Sequence, residues 1–318
     1  MKIHGLIIDP QISFSWPGLQ ELTGKNPDDI LPPEVRPHMG DMYDRLLNRG
    51  ELYVDGAHED MLRLAAMLDR LRDRLDDVHV TLDSHRFVDQ AHPSWWRRTS
   101  DGSPPPHYTI LGINNDRVVR MDPQSDGSLV PTGDEFTTRI PSFMYKGGPT
   151  KKGSKGYLEA LASNGRYPHV VWPVHCMIGT MGHLVHPAVM AALLRWEEQF
   201  CSVDYVTKGS NPQTEHYSGV QAEVVDPSDP STQINMELIR TLEEADIVFL
   251  AGEARSHCLA NTARDIVAKF SDPSYVKKLY LIEDCTSDVP GFEHLGEKFV
   301  QDMVGLGMNV SNSLDFLA

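Results

Sequence analysis

The sequence predicts a doubly wound α/β protein, with a six-stranded parallel sheet and helices on both faces. Short apolar runs of strand length alternate along the chain with amphipathic runs of helical length, which is the pattern of a parallel sheet covered on both sides. The longest apolar runs, such as "IVFL" at Ile247–Leu250, are strand-sized and too short to cross a membrane. With 318 residues, the chain can bury a large core.

Six strands and five helices account for this alternation. The expected strands are "KIHGLIID" ending at Asp9, "VHVTLD" ending at Asp83, "VDYVTK" ending at Lys208, "ADIVFLAG" ending at Gly252, "KKLYLIED" ending at Asp284 and the short "MNVSN" near the C-terminus. The expected helices are "EDMLRLAAMLDRLRDRL", "PAVMAALLRWEEQF", "NMELIRTLEEA", "CLANTARDIVAKF" and "GEKFVQDMVGL", in which apolar residues recur at helical spacing. Together they fit one doubly wound domain.

Two long stretches, residues 15–57 and 86–171, do not follow this rhythm. Both are rich in Pro, Gly and charge, and the second contains "SPPPH" and "KGGPTKKGSKG". Because both are longer than ordinary connections, we expect elaborated loops over one end of the sheet. A linker that divides the chain into two domains near residue 150 is the alternative. The prediction is a single domain over residues 1–318 with these two insertions.

The charge of the chain limits its partners. Its 29 Lys and Arg against 45 Asp and Glu give a net charge of -16, which disfavours nucleic acid or an anionic membrane and favours a small neutral or cationic substrate. The opening "MKIHGLIIDP" lacks the apolar stretch of a signal peptide, so we expect a cytoplasmic protein, and we expect it to be a homo-oligomer. Cys176, Cys201, Cys258 and Cys285 are too scattered for a disulfide framework and are expected to be free thiols.

Reactive residues collect where the predicted strands end, which is the edge where doubly wound sheets bind ligands. They are Asp9, Asp83 with His85, Lys208, and Cys258 of "GEARSHC", which opens a helix after the fourth strand. Each has an ordinary structural explanation, as a turn or cap residue, a solvated lysine or a core cysteine. Their coincidence on one edge indicates a functional site.

Cys258 is the candidate nucleophile. A thiol near a helix N-terminus is close to unpaired N–H groups and the positive end of the helix dipole, which predicts a lowered pKa. The same N–H groups could hold an oxyanion. Asp9 could carry the proton, and Lys208 could orient that carboxylate and balance its charge, which makes an acyl-transfer site without a catalytic histidine.

Asp83 and His85 are candidate metal ligands. One residue apart in an extended strand end, they project to the same side and can bind one ion. His175 of "WPVHC" is the natural third ligand, and His92 could be a fourth. The alternative is that these histidines make ordinary surface hydrogen bonds.

The adjacent His175 and Cys176 of "WPVHC" suggest a base beside its nucleophile. Neighbouring residues of an extended segment point to opposite sides, whereas a reacting pair needs its atoms within about 3 Å. We therefore expect the pair to be split.

Five motifs in this order resemble those of the nicotinamidase-related cysteine hydrolases, which have the isochorismatase-like fold. They are "DPQISF" at Asp9–Phe14, "DSH" at Asp83–His85, "WPVHC" at Trp172–Cys176, "KGSNPQTEHYSGV" at Lys208–Val220 and "GEARSHC" at Gly252–Cys258. Single motifs of this kind are weak, but five in register span nearly the whole chain.

The resemblance implies a role for each matching position. Asp9, Lys208 and Cys258 correspond to the catalytic triad, Asp83, His85 and His175 to the ligands of one divalent transition metal ion (Zn, Fe or Mn), His92 to an extra histidine of some members, and Phe14, Trp172 and Tyr217 to the walls of an aromatic pocket. A cis peptide is expected between Glu253 and Ala254, with the N–H groups of Ala254 and Cys258 as the oxyanion hole. Cys176 becomes a bystander.

The implied activity is metal-assisted hydrolysis of a small carboxamide, with nicotinamide to nicotinate plus ammonia, a step of NAD salvage, as the leading case. Typical nicotinamidases read "DPQNDF" and "ATDYC", whereas this chain has Ile12 and Ser13 in the first motif and Arg255, Ser256 and His257 in the second. These changes border the expected pocket, so the exact substrate stays open. The alternatives are an isochorismatase-like hydrolase with another amide or an ether substrate, and a non-catalytic metal-binding or interaction protein.

Overall fold

The computed structural model describes residues 1–30, 33–124, 127–140 and 153–318. Its strands are β1 (Ile3–Ile8), β2 (Asp77–Asp83), β3 (Trp96–Arg98), β4 (Thr109–Asn114), β5 (Arg117–Pro123), β6 (Leu129–Thr138), β7 (His169–Val171), β8 (Asp204–Lys208), β9 (Ile247–Gly252), β10 (Leu279–Ile282) and β11 (Asn309–Ser311). Its α-helices are α1 (Ile12–Ser15), α2 (Leu19–Thr23), α3 (Pro27–Ile30), α4 (Arg36–Met39), α5 (Asp41–Leu47), α6 (Ala57–Leu71), α7 (Gly153–Ser163), α8 (Pro187–Glu197), α9 (Met236–Glu244), α10 (Ala260–Lys269) and α11 (Glu293–Leu306).

The main sheet has six parallel strands in the order β11-β10-β9-β1-β2-β8. All six strands expected from the sequence are present in it, with ends that differ by a residue or two. The chain builds outward from β1 through β2 to β8, and then returns to the other side of β1 to add β9, β10 and β11. The order therefore reverses between β1 and β9, and a doubly wound sheet binds ligands at such a switch point.

Helices cover both faces of this sheet, as the alternation of side chains along β1 requires. Leu6 and Ile8 pack in a cluster with residues of α9, α10 and α11, whereas Ile3 and Ile7 pack in a second cluster with residues of α6 and α8. The five helices expected from the sequence are these five. Among the described residues, no helix has both the length and the apolar character needed to cross a bilayer.

The prediction of loops over residues 86–171 is wrong for most of this stretch. It contains a five-stranded antiparallel sheet in the order β3-β6-β5-β4-β7, with a small apolar cluster of its own. Asn115 and Asp116, both at positive φ, form the two-residue turn between β4 and β5. The Asn115–Asp116 pair is itself a sequence signal for such a turn, but the Pro and Gly content of the stretch predicts a loop. Residues 125–126 and 141–152 of the insertion lie outside the described residues.

The first insertion, residues 15–57, is built of short helices where loops were expected, and residues 31–32 fall outside its described part. After α5 the chain returns alongside α1. The N–H of Leu52 donates to the carbonyl of Ser13, and that of Val54 donates to the carbonyl of Phe14. These bonds place Leu52 beside the carboxyl end of β1. The assignment of residues 1–318 to a single domain stays a prediction.

Candidate active site

Asp9 follows β1 directly and is fully buried in a left-handed backbone conformation, with φ of 41°. Its N–H contacts the carbonyl oxygen and the hydroxyl of Thr81 in β2, at 3.2 and 3.0 Å. The Thr81 hydroxyl in turn donates to Asp9 Oδ1 at 2.6 Å. Burial raises the pKa of Asp9, and the nearby Lys208 ammonium only partly offsets this. The carboxyl group is thus held in place and is suited to accept a proton.

Lys208 closes β8 and lies at the centre of the site. Its buried Nζ is 2.9 Å from Asp9 Oδ2, 3.0 Å from Asp83 Oδ1 and 3.6 Å from Cys258 Sγ. It also donates to the carbonyl of His216 at 2.9 Å. Burial alone would lower the pKa of Lys208, but the two carboxylates raise it well above its ordinary value. Lys208 is therefore a charged ammonium that joins three functional groups.

Cys258 lies in a π-helical turn, Arg255–Leu259, between β9 and α10. Burial raises the pKa of its thiol well above the ordinary value, although the Lys208 ammonium acts in the opposite direction. The expectation of a lowered pKa is therefore wrong, because desolvation of the thiolate outweighs the favourable field of the helix N-terminus. A thiol with a raised pKa needs a proton acceptor in order to react as a thiolate, and Asp9 contacts the same Lys208 ammonium as Cys258 does.

The backbone N–H of Ala254 has no hydrogen-bond partner among the described residues, and that of Cys258 has none outside its own helical turn in this part of the chain. The peptide bond between Glu253 and Ala254 is cis, as the family resemblance implied. Both residues line the same pocket. Their service as the two donors of an oxyanion hole stays a prediction.

Asp83, His85 and His175 are brought together beside this group. Asp83 Oδ2 lies 3.1 Å from His85 Nε2 and 3.3 Å from His175 Nε2, and one ligand atom from each residue fits within 4.8 Å of the others. Burial alone would raise the pKa of Asp83, but His85 and Lys208 hold it well below its usual range. One carboxylate and two imidazole nitrogens form a donor set that suits Zn²⁺ and similar ions.

The second nitrogen of each imidazole faces an oxygen atom of the protein. His85 Nδ1 faces Asp89 Oδ2 at 3.2 Å, and His175 Nδ1 lies 2.8 Å from the carbonyl oxygen of Pro173. Such contacts fix the tautomer and turn both Nε2 atoms towards Asp83, as is usual for histidines that bind metals. The three residues therefore fit a divalent transition metal ion. Asp89 was not singled out from the sequence, although it lies four residues after His85.

His92 lies beside the three residues rather than among them. Its Nδ1 is 3.0 Å from the carbonyl oxygen of Arg86, and its Nε2 is 3.3 Å from His175 Nδ1. Burial lowers its pKa to about 2, so the ring is neutral. In this arrangement His92 packs against the ring of His175, and its role as a ligand stays a prediction.

The pocket that Cys258, Asp83 and His175 line is aromatic. The three expected wall residues, Phe14, Trp172 and Tyr217, all line it. It encloses about 340 Å³ of space, its open mouth included. Trp172 Nε1 donates to the Tyr217 hydroxyl at 3.0 Å, which fixes the two rings relative to each other. Leu52 and Val289 add apolar surface.

Two further lining residues were not chosen as site residues from the sequence. His257 packs edge-on against Trp172, with ring centroids 5.1 Å apart, and burial lowers its pKa to about 3. Its position directly before Cys258 was the available signal. Glu215 is buried, with Oε1 3.8 Å from His85 Nε2, and Oε2 has no hydrogen-bond partner within the described part of the chain. Burial raises its pKa.

Cys176 is separated from His175, as expected, but for a different reason. The segment is not extended there, because Cys176 has a φ of 44°. Its N–H donates to Ser13 Oγ at 2.9 Å, its side chain is fully buried, and burial raises the pKa of its thiol well above the ordinary value. Cys176 does not line the pocket that holds Cys258.

Comparison with solved structures finds this fold in nicotinamidases. For the nicotinamidase/pyrazinamidase of Acinetobacter baumanii the TM-score is 0.53 at 16% identity, with 99% of this chain and 98% of that chain covered. For the yeast nicotinamidase Pnc1p bound to the inhibitor nicotinaldehyde it is 0.54, also at 16% identity, with 98% and 99% covered. No protein-family model and no curated protein matches the sequence. The isochorismatase-like α/β fold expected from the sequence is confirmed.

Proposed function

We propose that this chain is a metal-assisted cysteine amidohydrolase of a small carboxamide, with nicotinamide as the leading substrate. The observation that carries the proposal is the contact of Lys208 Nζ with both Asp9 and Cys258, at 2.9 and 3.6 Å, where Cys258 lines an aromatic pocket. A nucleophile, a proton acceptor and a charge-balancing group within reach of one another are what acyl transfer by a cysteine requires. The shared fold of the two nicotinamidases above supports the same reaction class.

The first half of the reaction forms a thioester. Asp9 accepts the proton of the Cys258 thiol, and the sulfur adds to the carbonyl carbon of the amide. The oxygen of that carbonyl takes up the negative charge and accepts hydrogen bonds from the Ala254 and Cys258 N–H groups. Asp9 then gives its proton to the amide nitrogen, the C–N bond breaks and ammonia leaves. Lys208 holds the Asp9 carboxylate in place throughout.

The second half regenerates the thiol. Asp9 takes a proton from a water molecule, whose oxygen adds to the thioester carbon, and the C–S bond breaks. The carboxylic acid product leaves, and the proton on Asp9 returns to the Cys258 sulfur. The raised pKa of both Asp9 and Cys258 matches these roles, because each group must hold a proton during part of the cycle.

Asp83, His85 and His175 would hold the metal. When bound, it supplies a Lewis-acidic position for the ring nitrogen of a heteroaromatic amide. The walls formed by Phe14 and Trp172 suit a flat ring and exclude water from the reacting carbonyl. Within this proposal the protein is a cytoplasmic homo-oligomer that converts nicotinamide to nicotinate, as a step of NAD salvage.

Ammonia release over a panel of carboxamides, with metal-loaded protein, tests the proposal. Nicotinamide and pyrazinamide carry a ring nitrogen meta to the amide, and benzamide does not. We expect kcat/KM on benzamide to be at least about tenfold lower, which corresponds to about 1.4 kcal/mol of lost transition-state binding.

The same panel separates the alternatives. Equal rates on nicotinamide and benzamide would contradict a role for the ring nitrogen while leaving the Cys258 chemistry intact. Faster turnover of aliphatic amides would show that the pocket beside Ile12, Ser13 and Arg255 is shaped for an aliphatic substrate and not for a heteroaromatic ring. Protein that carries metal but releases ammonia from no amide would favour the non-catalytic alternative, and ether cleavage would favour an isochorismatase-type hydrolase.

Removing one ligand of the Asp83 cluster should remove its metal. In His85→Gln we expect about one equivalent less of bound divalent metal than in the wild type, because two ligands are too few for a stable site. Turnover should fall with it. Elemental analysis of the purified protein after metal loading measures the loss, and His107→Gln, at an exposed histidine of the second insertion, is the matched control. Unchanged metal content in active His85→Gln would remove His85 from the ligand set.

A further inference from the structure

A second group of metal-binding side chains lies at the opposite end of the main sheet. His4, Asp77 and His79 each offer a ligand atom, and these three atoms lie within 4.8 Å of one another. The group is independent of the Asp83 cluster, because about six residues of β2 separate Asp77 from Asp83, or roughly 20 Å along the strand. The mechanism proposed above uses none of these residues.

The sheet itself brings the group together. His4 is paired with Asp77 in the register of β1 and β2, and Asp77 and His79 project to the same face because they are two residues apart. The rings of His4 and His79 lie with their centroids 5.6 Å apart. The spacing of Asp77 and His79 repeats that of Asp83 and His85 at the other end of the same strand.

The buried rings of His4 and His79 each have a nitrogen atom without a partner in the described part of the protein, which indicates a ligand. His79 Nδ1 faces Asp204 Oδ2 at 2.9 Å, which leaves Nε2 as the free nitrogen, 3.8 Å from Asp77 Oδ2. Neither His79 Nε2 nor His4 Nδ1 has a hydrogen-bond partner in the described ranges, although the side chains are only 2% and 5% exposed. Buried polar atoms without a partner are rare and need an explanation.

The Asp77 carboxylate completes the group and connects it to solvent. Its Oδ1 accepts from the Val78 N–H at 2.9 Å, so Oδ2 is the atom that faces His79. The Asp77 side chain is 35% exposed, which gives an ion a path into the group from water. Asp204 would act on the ion only through His79, since its contact with Nδ1 fixes the tautomer that presents Nε2.

We propose that His4, Asp77 and His79 form a second metal site, for Zn²⁺. Two imidazole nitrogens and one carboxylate oxygen, with water in the remaining position, make a tetrahedral set that zinc accepts well. Nitrogen donors disfavour Ca²⁺ and Mg²⁺, which require oxygen ligands. The ion links β1 to β2 directly, and β8 through Asp204. It therefore stabilises the amino end of the sheet, and not the chemistry at the carboxyl end.

Zinc stoichiometry in a set of four proteins tests the site. Each protein is stripped with a chelator, reloaded with Zn²⁺ alone, desalted and analysed for zinc. We expect about two equivalents in the wild type, about one in His85→Gln, about one in Asp77→Asn and almost none in the double variant. In the His85→Gln background, zinc should also raise Tm, and Asp77→Asn should abolish that shift.

Controls keep the result interpretable. His107→Gln, at a histidine in neither group, should bind as much zinc as the wild type. If Asp77→Asn fails to fold, Asp204→Asn, at a half-exposed side chain, is the second test. In the His85→Gln background it should weaken zinc binding about tenfold or more. Equal zinc content in the wild type and Asp77→Asn, or no zinc left in His85→Gln, would overturn the site. One equivalent that survives His85→Gln and disappears in Asp77→Asn would support it even if the Asp83 cluster bound no metal.

Discussion

Replacing Cys258 by alanine is expected to lower kcat/KM for amide hydrolysis by at least about 10⁴-fold, because the sulfur that forms the thioester is lost. Cys258 Sγ is the thiol that contacts Lys208 and lines the aromatic pocket. The fold should survive, since alanine keeps the apolar character of the site. Ammonia release measures the first effect, and far-ultraviolet circular dichroism checks the second.

The other thiols provide the controls for this experiment. Cys201→Ala, at a partly exposed position, should leave turnover unchanged. Cys176→Ala should act mainly on packing or metal binding, because the Cys176 side chain is buried away from the pocket and the neighbouring His175 belongs to the metal cluster. An inactive Cys176→Ala protein with normal metal content, beside an active Cys258→Ala protein, would reverse the assignment of the nucleophile.

Replacing Lys208 by methionine is expected to lower the free energy of unfolding by about 3 to 5 kcal/mol and to remove turnover. The change keeps the length of the side chain but deletes the ammonium that lies 2.9 Å from Asp9 and 3.0 Å from Asp83. The buried Asp9 carboxyl group would then lose the ammonium that balances it, and Asp83 would keep only the pairing with its histidines. Urea denaturation gives the stability change, provided that both proteins unfold in a single transition with the same slope.

A second substitution distinguishes lost charge balance from lost packing. If the uncompensated carboxyl groups are the cause, Lys208→Met combined with Asp9→Asn should be more stable than Lys208→Met alone. Lys298→Met is the surface control, since Lys298 pairs with Asp302 in solvent and such pairs contribute at most about 1 kcal/mol. A Lys208→Met protein as stable as the Lys298→Met control would contradict the account of Lys208 as a buried counter-charge.

The sequence alone determined the main sheet and the residues at its carboxyl edge. The alternation of apolar runs predicted the six strands and their covering helices. The hydrophobic pattern of a buried strand or an amphipathic helix can be recognised within a short stretch of sequence. The edge followed from a general property of parallel sheets, in which all carboxyl ends meet. Asp9, Asp83 and Lys208 could therefore be grouped before their distances were known.

The order of the strands in the sheet could not be predicted from short stretches of sequence. β1 lies between β9 and β2, although some 240 residues separate it from β9, and this pairing places Asp9 near the π-helical turn that carries Cys258. Likewise, the second sheet is held by cross-strand pairs within a Pro- and Gly-rich stretch, whose composition resembles a loop. Pairing partners distant in sequence are what composition and periodicity do not encode.

Tertiary structure also decided the electrostatics of the site. The helix N-terminus predicted a lowered pKa for Cys258, but complete burial raises it, because desolvation depends on every segment that covers the thiol. The pocket contributions of Glu215 and His257, and the meeting of His4 with His79, depend in the same way on neighbouring segments. The sequence determined which residues could react, and the packing of distant segments decided which of them meet and in which protonation state.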